Sequence, residues 1–349
     1  MAASFPYVSS SHLRVACAGA LVQTLSSHLT LCKLSSEFSS LVFVEVHKRL
    51  DPFYSDSRDR IKSLGSLVYF SSYMSQPKSQ LETFRHWAGK ASDISYYLNS
   101  HLVDFTEWCF HGKARPIWVV AAGSYGLAKE LGIDVSFARE YAPYAEVEVP
   151  EREEVPVRLE HCYNKQKLLT NCAPRTPSPQ TYDTITLTVT WENLTSPRTF
   201  GTATYTSSWV SPPCDVHSQQ RFSALCAGGE INIDQARRGY TASSAAGGGL
   251  KNCNPLFMKY EPKNGKFAGQ KCYGYESIER FVESAIQVND GSSVADFDDG
   301  EHPSVNTTTQ TTAVLEAGKL SLDEEGARVD IVYDGDNLVP TSISLRKRK

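Results

Sequence analysis

The sequence has no Cys-x-x-Cys spacing, and its nine cysteines, at 17, 32, 109, 162, 172, 214, 226, 253 and 272, are odd in number and scattered. That pattern speaks against a disulfide framework and against a zinc site, and it suits a reducing compartment, so a cytoplasmic protein is expected. No charge of one sign dominates. The formal net charge is −4, with acids and bases interspersed, which gives no electrostatic footprint for nucleic acid or an anionic membrane. Long hydrophobic runs are missing as well: Val15–Leu34 is fairly apolar, but Gln23, His28 and Lys33 interrupt it and no small-residue cleavage pattern stands out. No zinc, haem or flavin motif is visible, and no Ser–His–Asp arrangement can be argued.

What is there has the composition of an ordinary globular chain, 41% apolar and 21% charged over 349 residues, enough for one large domain or two of common size. Residues 1–40 are Ser-rich and acid-poor, and are expected to be disordered or a misassigned start. Leu41-Val42-Phe43-Val44-Glu45-Val46 reads as a strand buried in a parallel sheet. Asp51-Pro52 then caps a helix to Leu64, and Leu67–Met74 is a second strand. The spacing predicts a βαβ unit, a remnant of a doubly wound nucleotide-binding domain over 41–90.

A helix follows from Asp93, with Ile94, Tyr97, Leu98, Leu102, Phe105, Trp108 and Cys109 on one face; His101 shares that face and Asp104 sits near its edge. Ile117–Ala122 is another strand. From Asp183 to Trp191 the chain alternates polar and apolar, a strand with one wet face, and residues 199–233 continue in kind. An open, mainly antiparallel sheet flanked by helices is expected over 91–335, an α+β domain after the α/β remnant. Helices are predicted around Ile278–Ile286 and over Thr308–Leu320. Residues 135–180, rich in Pro, Glu and Arg and without a period, read as a disordered insertion. Residues 336–349, ending Arg346-Lys347-Arg348-Lys349, read as a basic tail.

Three segments carry a resemblance. They are Val44-Glu45-Val46-His47-Lys48-Arg49-Leu50-Asp51-Pro52; Asp93-Ile94-Ser95-Tyr96-Tyr97-Leu98-Asn99-Ser100-His101-Leu102-Val103-Asp104; and a longer stretch with Ser208-Trp209, His217–Phe222, Gly229-Glu230-Ile231, Asp234–Tyr240 and Asn254–Tyr260. In this order and spacing the chain resembles the Gfo/Idh/MocA oxidoreductases, and within them the D-galacturonate reductase-like branch. The resemblance covers roughly 42–134 and 181–335. It implies NAD(P)H as cofactor, a sugar or sugar acid as substrate, and Glu45, His47 and Lys48 at the cofactor. It also implies Lys48 and His101 as catalytic residues.

Lysine is too basic for acid–base work at its free pKa of ~10.4, so burial or a neighbouring cation such as Arg49 must lower it. His101 would polarise the substrate carbonyl or share the proton. Tyr73, Lys78, Trp87, Asn99, Asp104 and Arg238 are the candidate substrate contacts, with Lys78 or Arg238 suited to a carboxylate. Trp209 and Tyr240 offer ring faces. Relatives often associate through the sheet, so a homodimer is a further expectation.

The chain departs from the family in three places. No Gly-x-Gly-x-x-Gly turn precedes Val44, and Gly247-Gly248-Gly249 lies too far downstream to replace it. Tyr97 stands where a carboxylate often precedes the histidine by four residues. The 135–180 stretch has no counterpart. A truncated nucleotide-binding half is therefore expected, and because Val135-Ser136 can be encoded by GTGAGT and Gln180 by CAG, common intron ends, a retained intron over 135–180 is a further expectation. Two other readings remain: a sugar-binding or dimerising protein without catalysis, and a defective gene product.

Overall fold

The computed structural model describes residues 16–19, 22–85, 88, 92–132, 181–211, 219–234, 239–245, 251–253 and 273–346. The expected insertion at 135–180, Trp87, Arg238, His217, the Gly247–Gly249 run and the last three residues lie outside these, as does the Tyr240 side chain.

Alternation dictates the centre of the molecule. In β5 (Tyr182–Asn193) Ile185, Leu187, Val189 and Trp191 are fully buried, while Thr184, Thr186, Thr188 and Thr190 stand half-buried on the other face. Its neighbours are β4 (Ala114–Tyr125) and β6 (Thr199–Ser211), both antiparallel to it. Threonine hydroxyls link the strands across the wet face, Thr186 to Thr206 at 3.0 Å. The chain adds β3 (Leu67–Pro77), β7 (Gln219–Cys226), β8 (Gly229–Asp234), β9 (Gly239–Ser244), β10 (Lys251–Cys253), β11 (Val329–Tyr333) and β12 (Pro340–Leu345). Together they form a ten-stranded sheet in the order β10-β9-β8-β7-β3-β6-β5-β4-β11-β12. All its pairings are antiparallel except β3 with β6. The expected open, mainly antiparallel sheet flanked by helices is present.

Helices pack on the inner face. They are α2 (Pro52–Ser63), α4 (Ser100–Cys109) and α7 (Thr309–Asp323), with α1 (Leu25–Glu37), α3 (Lys78–Phe84), α5 (Leu127–Glu130) and α6 (Tyr273–Asn289) around them. Gly318 of α7 faces Leu187 so closely that an added Cβ would lie 2.6 Å from a leucine methyl, which lets the helix sit against β5. A continuous core runs from Phe53, Tyr54 and Ile61 through Phe70, Phe105 and Phe222 to Trp191 and Leu315.

Three expectations are corrected. First, the described residues before 41 are structured: β1 (Ala16–Gly19) pairs in parallel with β2 (Leu41–Val44), and α1 lies between them in the chain. What fixes α1 is polar, so hydropathy patterning misses it. The buried His28 ring meets the Thr312 hydroxyl at 2.6 Å and the Val305 carbonyl at 2.6 Å. Second, β3 does not pair with β2; it leaves the βαβ path and enters the large sheet between β6 and β7. Its buried positions, Phe70, Ser72 and Met74, alternate with more open ones, Tyr69, Ser71 and Tyr73, as in a strand with one covered face. A domain boundary at residue 90 would therefore cut a sheet in two. Third, the basic tail begins later than 336, because β12 closes one edge of the sheet and the Arg346 N–H donates to the Arg328 carbonyl at 2.9 Å.

Candidate active site

The chain leaves β2 at Val44 and makes one 3-10 turn, His47–Leu50, before α2 starts. Asp51 stops the turn and caps α2, its Oδ1 accepting the Phe53 N–H at 2.9 Å, with Pro52 fixing the first helical position. This tight exit turns Lys48 inward, where it is 1% exposed. Its ammonium donates to the Gln220 side-chain oxygen on β7, stands 3.8 Å from Asp51 Oδ2, and lies 4.7 Å from the centre of the Tyr54 ring. Burial pulls its pKa down to about 8, against the pull of the Asp51 carboxylate. Arg49 does not supply this effect. Its charge is spent elsewhere.

His101 arrives from the other side on α4, after a π-helical turn over Ser95–Asn99. Such one-residue expansions often occur at functional sites. Its ring packs against that of His47 with centres 4.6 Å apart, and its Nδ1 is enclosed with no hydrogen-bond partner. Burial first, then the positive fields of His47 and Lys48, push its pKa well below the ordinary value, so it stays neutral. The His47 Nδ1 is in turn 2.8 Å from Glu45 Oε2. Burial raises the Glu45 pKa, but the His47 hydrogen bond and charge outweigh it and the net shift is downward. Lys48, His47, His101 and Glu45 thus form one group at the carboxyl end of β2, where ligands sit in open α/β sheets.

The candidate substrate residues divide. Asn99 is buried two residues before His101, its amide donating to Ser95 Oγ at 3.1 Å. Lys78 is exposed at the start of α3. Two assignments are corrected. The Asp104 carboxylate is fully buried and both oxygens are held by Arg49, at 3.0 Å from Nε and 2.7 Å from Nη2, leaving nothing for a ligand. Tyr73 pairs with Arg221, whose guanidinium lies 5.0 Å from its ring centre. Its neighbour Met74 pairs with Gln220, the Lys48 partner, so Tyr73 points to the opposite face of the sheet.

Sequence reasoning missed Gln220 and Glu107. The period of two in β7, with Phe222 and Ala224 inward, would have placed Gln220 inward too. Glu107, one turn beyond Asp104, is buried and accepts the Thr311 hydroxyl at 2.6 Å and the N–H groups of Thr311 and Gln310 at 2.9 and 3.2 Å. Burial pushes its pKa up to about 8. Beside the group is a cavity of about 140 Å³ lined by Glu45, Val46, Arg49, Leu50, Ser277 and Phe281, among others. That is smaller than the roughly 300–1,000 Å³ of pockets for drug-sized ligands.

A nicotinamide dinucleotide also needs free backbone N–H groups for its pyrophosphate, usually at a helix N-terminus after a strand. Among the described residues, α1 after β1 offers that geometry. Its first N–H, that of Leu25, donates to Glu316 Oε2 at 2.7 Å, and the Ser27 N–H donates to the capping Thr24 hydroxyl at 3.2 Å. These two donors are already satisfied, and residues 20–21 of the turn between β1 and α1 lie outside the described residues.

Neither a protein-family profile nor a curated protein sequence matches the chain. Solved structures do. The fold is similar to an inositol dehydrogenase homologue complexed with NAD+ from Azotobacter vinelandii, with a TM-score of 0.59, 11% identity, and coverage of 91% of this chain and 72% of that one. It is similar to an oxidoreductase from Pseudomonas syringae, at a TM-score of 0.58, 11% identity, and the same shares of 91% and 72%. A levoglucosan dehydrogenase complexed with NADH and levoglucosan gives 0.55, 14% identity, 91% and 73%. The chain has the mixed α/β fold of NAD-binding oxidoreductases.

Proposed function

We propose that this chain carries the substrate-binding and acid–base machinery of an NAD(P)-dependent oxidoreductase acting on a sugar or sugar acid, of the D-galacturonate reductase kind. The observation that carries the reading is the convergence of a buried ammonium, Lys48, and a neutral imidazole, His101, around His47. In reduction of a carbonyl, the new alkoxide oxygen needs a proton at once. Lys48 donates it, because a pKa of about 8 leaves it charged at neutral pH yet able to give up the proton. His101 fixes the same oxygen, or a neighbouring hydroxyl, through the ring nitrogen that the fold leaves unpartnered. Asn99 and the exposed Lys78 are the remaining contacts, and Arg238 is proposed for the carboxylate of a sugar acid. In the reducing cytosol the nine cysteines stay thiols.

A second reading, a sugar-binding module without turnover, is favoured by the Glu316 carboxylate on the α1 N-terminus. One pair of measurements separates them. The enzyme oxidises NADPH in the presence of D-galacturonate, and its melting temperature rises with NADPH. The binding module is stabilised by sugar acids alone. A chain inert to both NADH and NADPH in both assays overturns the oxidoreductase reading.

A further inference from the structure

We propose that Gln220 and Asp51 are positioning residues for Lys48: Gln220 anchors the ammonium without adding charge, and Asp51 sets how firmly it keeps its proton. This rests on Lys48 as the proton donor of the reaction proposed above.

The two oxygens near the ammonium differ in kind. Gln220, on the inward face of β7, touches it directly and is neutral. Asp51 is charged but stands off at 3.8 Å, because its other oxygen is tied to the Phe53 N–H as the cap of α2. A carboxylate in direct contact would hold the proton to high pH, whereas a neutral acceptor fixes the direction of Nζ and leaves Asp51 to offset part of the effect of burial. The helix cap thus also meters an attractive charge at a fixed distance. Other charged and titratable groups among the described residues pack around this point. His47 in the same turn faces Glu45, His101 from α4 is neutral, Tyr54 from α2 offers its ring face, and Arg49 with Asp104 forms a closed pair.

The test is an NMR titration of the full chain carrying 13C at lysine Cε, with the Lys48 signal assigned by its loss in Lys48→Met. Asp51→Asn keeps a good helix cap and removes the charge, so the Lys48 midpoint is expected to fall by about one pH unit. Gln220→Glu places a carboxylate in contact, so the midpoint is expected to rise by about one pH unit. Asp51→Ser retains a capping hydroxyl and replaces the asparagine variant if that one fails to fold. Midpoints that coincide with the wild type, or move in the opposite order, overturn the proposal. Midpoints that move in the expected order in a chain with no turnover uphold the positioning while removing the proposed reaction.

Discussion

Lys48 and Arg49 are adjacent in the chain, both buried, and turned to different ends. Arg49 neutralises Asp104 in a two-point contact and also donates to the His302 carbonyl at 3.1 Å, so it braces the turn against α4 and the 302–308 segment. Lys48 has the Asp51 carboxylate at 3.8 Å, and burial loosens its hold on the proton. Two predictions follow at this scale. Replacing Arg49 by methionine leaves Asp104 buried without its counter-charge and should cost about 3–5 kcal/mol in a urea titration. Turnover, measured across pH, should fall as the pH rises through about 8, where Lys48 loses its proton. A rate that instead climbs through that region contradicts Lys48 as the acid.

Among the elements, β5 and the helix through His101 were legible because their periods are clean: Ile185, Leu187, Val189 and Trp191 of β5 are all buried and the His101 helix buries Leu102, Phe105 and Trp108. β2, α2 and their Asp-Pro cap were legible for the same local reasons. The partner of β3 was not. Its pairing is parallel to a strand more than a hundred residues later, and nothing local encodes that. Nor did hydropathy reveal the buried polar joints, His28 with Thr312, Asp104 with Arg49, and Glu107 with the first N–H groups of α7. In a window of sequence these residues look like solvated ones.

The Glu107 joint makes a prediction about α4 and α7. Its pKa rises from 4.5 unfolded to about 8 folded, so the native state binds the extra proton. The stability it contributes is complete below pH 4.5 and is lost as the pH climbs through about 8. Glu107→Gln should flatten that slope in urea titrations at several pH values, while Glu107→Ala should lose about 1–3 kcal/mol because the α7 donors are left unsatisfied.

On the scale of the whole molecule, the ten-stranded sheet has one face under helices and one covered by threonines, with Tyr69 and Leu225 exposed there as cross-strand neighbours. That flat face is the surface proposed for a second copy. Thr204→Arg, in the middle of it, should halve the mass measured in solution without changing the circular dichroism. An unchanged mass would place any self-association elsewhere. No helix among the described residues is long and apolar enough to cross a membrane. The hold of Glu316 on the first N–H of α1 was not legible in the sequence, since 291 residues separate the two partners.

The most direct measurement is a kinetic cycle on one reaction: NADPH oxidation with D-galacturonate by the wild type, Lys48→Ala, His101→Ala and the double variant. Two groups acting on one oxygen should each cost about 10²–10⁴-fold when removed, with the double variant little slower than the worse single one. Losses that simply multiply, or a near-normal rate in either single variant, would contradict a shared site.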